Sequence, residues 1–477
     1  MTIWLTAVVL VAAVDAGTDA GVCGDAGTGE PVRCAPGRAT ELLEAGQTVQ
    51  HEKGEGGTAE AIAQYQAALE ADPACATALW EMGWAYQQQG DWDAAIAAWE
   101  RLRKLAPDYP RLDREFPIAL RRRDQHASLA ALPDPGVLRP PAKKPAPGES
   151  IAIVAVGDVH MGRGWPEERA TLPPDGGTDL LESVSELLHQ GDVTFGNLET
   201  VLADSGDSEK CGPRSTKCFA FRVPTAFAEN PKRAGFTVMS IANNHSGDFG
   251  PEGRVSTMAA LDGAGVLHSG PVGDIARWTV KGRKLALVAF STGNDVYRIQ
   301  EIDIGRRLIA QLARENDLVI VSFHGGAEGD AAQHVKKGRE KFYGEDRGDV
   351  RGFAHAMIDA GAALVLGHGP HVLRGGELYR GRLVLYSMGN FSSWETFGLG
   401  GAKGISGIFK VTLAPNGVPL SIEMTPVFLE EPGRPRVDPE KRGIASFRKL
   451  SKADFGAALL DENGVWTRPG APPSGPH

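Results

Sequence analysis

The stretch Val154-Ala155-Val156-Gly157-Asp158-Val159-His160-Met161-Gly162, "VAVGDVHMG", decides how the larger part of this chain folds. Together with Ile151 and Ile153, its first residues form an apolar, mostly β-branched run, the composition of a buried strand. The run breaks at Gly157. Asp158 and His160 follow, two residues apart and therefore on one side of an extended chain.

The same device recurs downstream. "VTFGNLET" ends an apolar run on Asn197 and Glu199, and "FTVMSIANNHSGDFG" presents Asn243, Asn244, His245 and Asp248. "DLVIVSFHGGAEG" ends at His324 with Glu328 just beyond. "AALVLGHGPH" supplies His368 and His371, and "RLVLYSMGNFSSW" supplies Ser387 and Asn390. Strands are expected at 151–156, 192–197, 236–241, 284–290, 317–323, 363–366 and 383–387. Helical stretches are expected at 178–190, 223–234, 252–264, 304–314 and 348–361. That alternation gives an α/β domain over 150–430, with 431–477 as a C-terminal extension of weak periodicity.

In open α/β sheets ligands bind at the carboxyl ends of the strands. Five of the twelve histidines (160, 245, 324, 368, 371) fall at such ends. A single polar residue after a strand ordinarily caps the next helix or satisfies loop backbone. Five imidazoles on one rim do not fit that role, and beside carboxylates they call for positive charge among them. Mixed oxygen and nitrogen donors suit zinc, manganese or iron better than magnesium or calcium. The donor supply exceeds one tetrahedral site and suits two ions about 3.5–4 Å apart.

The rest of the 477 residues is organised around this domain. The net charge of -10, with no basic stripe interleaved with aromatics, argues against nucleic-acid binding. An apolar run from Ile3 to Val14 is too short to span a bilayer. It suits a signal-peptide core (1–16) with Val14-Asp15-Ala16 as the cleavage pattern, although only the α-amino group is positive before Arg33. The expected location is therefore periplasmic or extracellular, at the cell envelope, with no transmembrane span in the mature chain. Residues 17–38 read as a low-complexity leader. If the chain is exported, Cys23–Cys34 and Cys211–Cys218 are the expected disulfides, leaving Cys75 over.

"AEAIAQYQAALEADP" (59–73) and "DAAIAAWERLRKLAP" (93–107) align at a spacing of 34 and match at Ala61/Ala95, Ile62/Ile96, Tyr65/Trp99 and Pro73/Pro107. Gly83 and Tyr86 fall at the expected places between them. This small all-α domain (39–132) resembles the tetratricopeptide family. Such a module either binds a protein partner or caps its neighbour. A linker with six prolines (133–149) follows.

The segments "GDVHMG" (157–162), "FGNLET" (195–200), "FAFRVP" (219–224), "IANNHSGDFG" (241–250), "FHGGAEG" (323–329), "GHGPHVLRG" (367–375) and "LYSMGNF" (385–391) resemble the calcineurin-like metallophosphoesterase superfamily. Within it they are most similar to the CapA, or poly-γ-glutamate capsule-synthesis, branch. The resemblance implies a four-layer α/β/β/α sandwich. It also implies that Asp158, His160 and His371 bind a first metal, Glu199 bridges, and Asn244, His324 and His368 complete a second site. His245 becomes the catalytic histidine beside the substrate, with Asp248 orienting it. The superfamily usually bridges with an aspartate, where this chain has Asn197-Leu198-Glu199.

Arg222, Arg374, Asn197, Glu328 and Asn390 are substrate-side candidates. Arg222 and Arg374 read either as anion-binding groups or as structural ion pairs, and Glu328 either as a support to the ligands or as a proton acceptor. Asn390 and Ser387 shape the floor of the site. His189, His268, His334 and His355 lie away from the strand ends and read as packing or surface residues. Two functions remain open. One is a dinuclear hydrolase acting on an anionic envelope polymer or a phosphoester. The other is a non-catalytic envelope scaffold that binds such a polymer and a synthase partner through the repeat.

Overall fold

The computed structural model describes residues 34–136, 144, 146–208, 210 and 219–469. The expected signal segment, most of the leader, and Cys23, Cys211 and Cys218 lie outside the described residues.

Five helices form the N-terminal region: α1 (Arg38–Lys53), α2 (Thr58–Ala71), α3 (Ala76–Gln89), α4 (Trp92–Leu105) and α5 (Leu112–Ala130). Gly90 ends α3 in the left-handed conformation (φ 77°), and the Asp91 carboxylate caps α4 by accepting from the Ala94 N–H at 3.0 Å. Gly83 is required by packing. A Cβ there would meet the Trp99 ring at 2.0 Å, and the ring donates from Nε1 to the Trp80 carbonyl at 3.1 Å. Cys34 is bonded to Cys75, 41 residues away. This corrects the expected Cys23–Cys34 pairing: the chain before α1 is tied to the α2–α3 turn.

Beyond the linker the chain is mixed α/β and rich in sheet. A nine-stranded sheet runs Arg434–Val437, Pro419–Glu430, Ile405–Leu413, Ile151–His160, Val193–Leu198, Val238–Ser240, Leu267–Ser269, with Asn390–Ser393 also paired to the 151–160 strand and Val465–Thr467 to the 419–430 strand. A seven-stranded sheet runs Gly376–Tyr379, Arg382–Leu385, Leu364–His368, Leu318–His324, Arg283–Ser291, Ala276–Val280, with Tyr297–Arg298 also paired to the 283–291 strand. The central pairs are parallel in both sheets.

Side chains alternate across these strands. Ile151, Ile153 and Ala155 share a core with Leu285, Leu287, Leu318 and Ile320 of the other sheet. Val154 and Val156 face the opposite way, toward Val184 and Leu188 of helix Glu182–Leu188 and Leu261 of helix Gly250–Ala264. Val319 and Val321 meet helices Ile302–Glu315 and Val350–Asp359 through Leu308, Ile309, Phe353 and Met357.

Two expectations shift. The first strand does not stop at Gly157 but continues to His160, with register shifts on both neighbours around Asp158. A Cβ on Gly157 would lie 1.8 Å from the Gly389 carbonyl oxygen, which accepts from the Asp158 N–H at 2.9 Å. The glycine is thus a point of backbone contact between two strand ends. The residues beyond 430 also continue the sheet: 434–437 pairs with 419–430, and helix Arg442–Phe455 packs its Phe447 and Ile444 into the shared core.

Candidate metal centre

Strand register places the polar ends together. Asp158 lies opposite Asn197 on one side and Asn390 on the other, Asn197 opposite Ser240, and His324 opposite His368. Each neighbouring pair ends at the same level, so the expected residues meet on one rim.

Asp158 and Glu199 are fully buried. Asp158 Oδ1 accepts from Asn197 Nδ2 at 2.9 Å and lies 3.2 Å from His368 Nδ1, and its Oδ2 lies 3.3 Å from His371 Nδ1. Glu199 Oε2 is 3.2 Å from His160 Nε2. Its Oε1 is 3.5 Å from His324 Nε2 and 3.7 Å from His371 Nε2. Ligand atoms of Asp158, Glu199 and His371 all lie within 4.8 Å of one another.

His371 adopts the left-handed conformation (φ 57°), uncommon for a residue with a Cβ. Asn390 Oδ1 holds its Nδ1 at 3.0 Å. Strained backbone of this kind concentrates at functional sites.

The electrostatics point the same way. Burial pushes the Glu199 carboxyl up to about 8, with Asp158 and Glu328 adding to the rise against the pull of the histidines. Burial works against charge on His371 as well, but Glu199, Asp158 and Glu328 outweigh it and hold the imidazole up at about 10. Burial also raises Asp158, yet the close approach and charge of the His368 and His371 imidazoles bring it well below the usual carboxylate range. His160 is pushed down to about 3 and His324 well below its ordinary value, in each case chiefly by burial.

Asp158 Oδ2, His160 Nε2, both Glu199 oxygens, Asn244 Oδ1, His324 Nε2 and both His368 nitrogens are buried without a hydrogen-bond partner. Such a group costs about 1–3 kcal/mol each. These oxygens, with one lone-pair nitrogen from each neutral imidazole, form a donor set that fits a divalent cation, and ligand atoms of Asp158 and Glu199 within it already converge with His371.

The family model for bacterial capsule synthesis protein PGA_cap matches residues 152–394, just over half of the chain and the whole of this rim. The chain belongs to the PGA_cap family. A tetratricopeptide-repeat model matches residues 49–110. Among curated PGA_cap relatives, the capsule biosynthesis protein CapA of Bacillus anthracis is 29% identical over 266 residues, 51% of this chain and 60% of the relative. The PGA biosynthesis protein CapA of Bacillus subtilis is 28% identical over 276 residues, 54% of this chain and 67% of the relative. A probable polyglutamine synthesis accessory protein of Mycobacterium tuberculosis is 30% identical over 268 residues, 50% and 66% of the two chains. The match therefore spans about two thirds or less of each relative's length.

Within this PGA_cap domain the remaining candidates separate. His245 Nδ1 lies 2.8 Å from Asp248 Oδ2. Burial lowers His245 against the raising effect of Asp248. Burial raises Asp248, but His245 and Lys210 outweigh it and bring it down.

Four substrate-side candidates have other partners. Arg374 is fully buried, forked onto Glu340 at 2.9 and 2.7 Å, and donates to the Ala332 and Ala327 carbonyls. Arg222 donates to the Gly206 carbonyl and lies over the Phe249 ring at 5.3 Å. Asn197 bridges Asp158 and Asn243, and Asn390 bridges His371 and the Lys403 carbonyl. These four hold the site or the loops around it. Glu328 stands at the mouth, 3.9 Å from His371 Nε2.

His268, His334 and His355 pair with Asp274, Asp454 and Glu377, and His189 Nδ1 lies 2.9 Å from the Ser185 carbonyl oxygen. Ser387 donates to the Val372 carbonyl at 2.7 Å.

Three neighbours carried no sequence signal. Lys210 donates to Asp248 Oδ1 at 2.6 Å and to the Asn244 carbonyl at 3.0 Å. The Phe397 ring lies 4.5 Å from His160 and 4.8 Å from His371. Arg347 is fully buried beside Glu328. All three come from irregular segments, where periodicity carries no information.

Proposed function

We propose that this chain is a metal-dependent hydrolase of the cell envelope, acting in poly-γ-glutamate or capsule synthesis on an anionic polymer or a phosphoester. The observation that carries it is the rim of eight buried, unpartnered oxygen and nitrogen atoms. In this reading Asp158, His160 and His371 would hold one ion and Asn244, His324 and His368 a second, with Glu199 a ligand shared between them. Zinc, manganese and iron suit those donors. The proposed framework is a four-layer α/β/β/α sandwich, supported by one core between the sheets and one on each outer face. In the same reading, residues 39–132 are a helical repeat domain that binds a protein partner, and 133–149 are the linker. Envelope location is supported by the names of the relatives and by the Cys34–Cys75 bond, which suits an oxidising compartment.

A divalent pair, when bound, supplies Lewis acidity to the reacting group and an activated water. The chain's own residues do the rest. His245, oriented through Nδ1 by Asp248, keeps Nε2 for proton transfer to the leaving group. Lys210 sets the far oxygen of Asp248 and adds positive charge at the rim. Burial of the carboxylates excludes bulk water and strengthens each of these interactions.

The test is metal content per chain, paired with a hydrolysis screen over phosphoesters and γ-glutamyl peptides. His245→Ala is expected to abolish turnover with metal retained. Normal turnover after Asp158→Ala combined with His371→Ala would sink the reading. Tight polymer binding with no turnover would select the scaffold instead.

A further inference from the structure

Arg347 is fully buried, and a guanidinium costs several kcal/mol to bury unless it is well paired. Its Nη2 lies 2.9 Å from Glu328 Oε1 and its Nη1 3.4 Å from Glu345 Oε2. Its Nε donates to the Gly326 carbonyl at 3.1 Å, and the Gly326 N–H returns a bond to the Arg347 carbonyl at 2.8 Å. The Gly325 N–H donates to the His368 carbonyl at 2.9 Å. Arg347 therefore joins the loop after the 318–324 strand to the hairpin Lys341–Phe342/Glu345–Asp346.

Residues 297–301 hold that hairpin from behind. Gln300 Nε2 donates to the Asp346 carbonyl at 2.8 Å. Ile299 packs so closely that a Cβ on Gly325 or Gly348 would come within 2.4 Å of it. The helical repeat grips the same segment. Gln125 Nε2 donates to the Tyr297 hydroxyl at 2.6 Å, Arg298 Nη1 donates to the Gln87 carbonyl at 3.2 Å, and Arg122 Nη2 donates to both Glu301 oxygens at 3.2 and 3.1 Å.

We propose that Arg347 is the positioning residue for Glu328 beside His371, and that the helical repeat domain holds this pair in place through residues 297–301. The proposal rests on the reading of the rim as a metal-dependent site. It makes the repeat part of the site's frame, whatever else the repeat binds.

The test uses the full chain loaded with Mn²⁺. Gln300→Ala, and separately the double variant Arg122→Met with Gln125→Ala, should keep wild-type Mn²⁺ content. Both should exchange amides 325–328 about tenfold faster, with 364–368 unchanged. With bis(4-nitrophenyl) phosphate as probe, Arg347→Met should lower kcat about as much as Glu328→Gln, and the two together no more than either. Arg347→Lys, which keeps a charge for Glu328, should recover part of the loss. Faster exchange confined to 112–130 and 302–315, or fully additive losses, would overturn the proposal. If the wild-type chain shows no turnover, the hydrolase reading fails, and the exchange data alone decide this one.

Discussion

Glu199 carries the sharpest consequence at the scale of single residues. Its carboxyl is fully buried, and both oxygens lack hydrogen bonds. With chelator present, Glu199→Gln replaces a buried ionisable carboxyl by a neutral amide and should raise the melting temperature slightly. With Mn²⁺ or Zn²⁺ the order should reverse. The wild-type chain gains about 2.7 kcal/mol at a hundredfold excess over Kd, and the variant gains little. A thermal melt with and without metal reads both signs, and no metal-dependent shift in the wild type would defeat the metal reading.

A second residue sets a pH dependence. Burial lowers His268, but the Asp274 hydrogen bond and charge, with Asp262, outweigh it and raise its pKa. A raised histidine stabilises the fold fully below its unfolded value of about 6.5 and loses that contribution as pH climbs through the folded value. The stability advantage over His268→Gln should therefore shrink from about pH 6.5 upward. An advantage that grows with pH would contradict the Asp274 pairing.

At this scale the sequence was most legible where chemistry is rare. Histidines at strand ends stood out, and the rim brings all five together. It was least legible in direction. Asn197 is a polar residue at a strand end like the others and Arg374 follows His371 in the same motif, yet one props Asp158 and the other is locked onto Glu340. No local pattern says which way such a side chain faces.

At the scale of elements, two glycines explain why helices and strands meet as they do. Gly157→Ala would drive a Cβ into the Gly389 carbonyl and force the 151–160 and 390–393 strand ends apart. We expect a loss of about 1–3 kcal/mol, the usual cost of overpacking, together with lower metal content, because Asp158 and Asn390 sit at that contact. Gly83→Ala should destabilise by a similar amount through Trp99 but leave metal content unchanged. Denaturant titration with metal analysis separates the two.

The parallel strands were legible because they are buried on both faces and read as unbroken apolar runs. The strands 405–413 and 419–430 were not, because their burial alternates. Ser406, Lys410 and Thr412 interrupt one, and Pro419, Glu423 and Pro426 the other. Their existence depends on pairing with each other and with the 151–160 strand, which no short window contains.

At the scale of the whole molecule, the repeat and the α/β domain were legible separately and their junction was not. The Pro-rich linker suggested a spacer, yet α5 lies against helix 302–315, and Arg122 reaches Glu301 across 179 residues. Contacts of that range leave no trace in sequence spacing. The Cys34–Cys75 bond is a second long-range tie, and it allows a direct test of how far the two parts depend on each other. Closing a loop of 41 residues removes unfolded-state entropy worth about 4 kcal/mol. Cys34→Ser with Cys75→Ser should therefore lower the stability of residues 34–130 by an amount of that order. If the repeat is docked through Arg122, Gln125 and Arg298, its loss must also be felt across the junction. Amides in 297–301 should then lose protection with those of α4 and α5, while the 151–160 and 364–368 strands keep theirs. Hydrogen exchange under mild denaturant distinguishes this from a free spacer, for which 297–301 would remain as protected as in the wild-type chain.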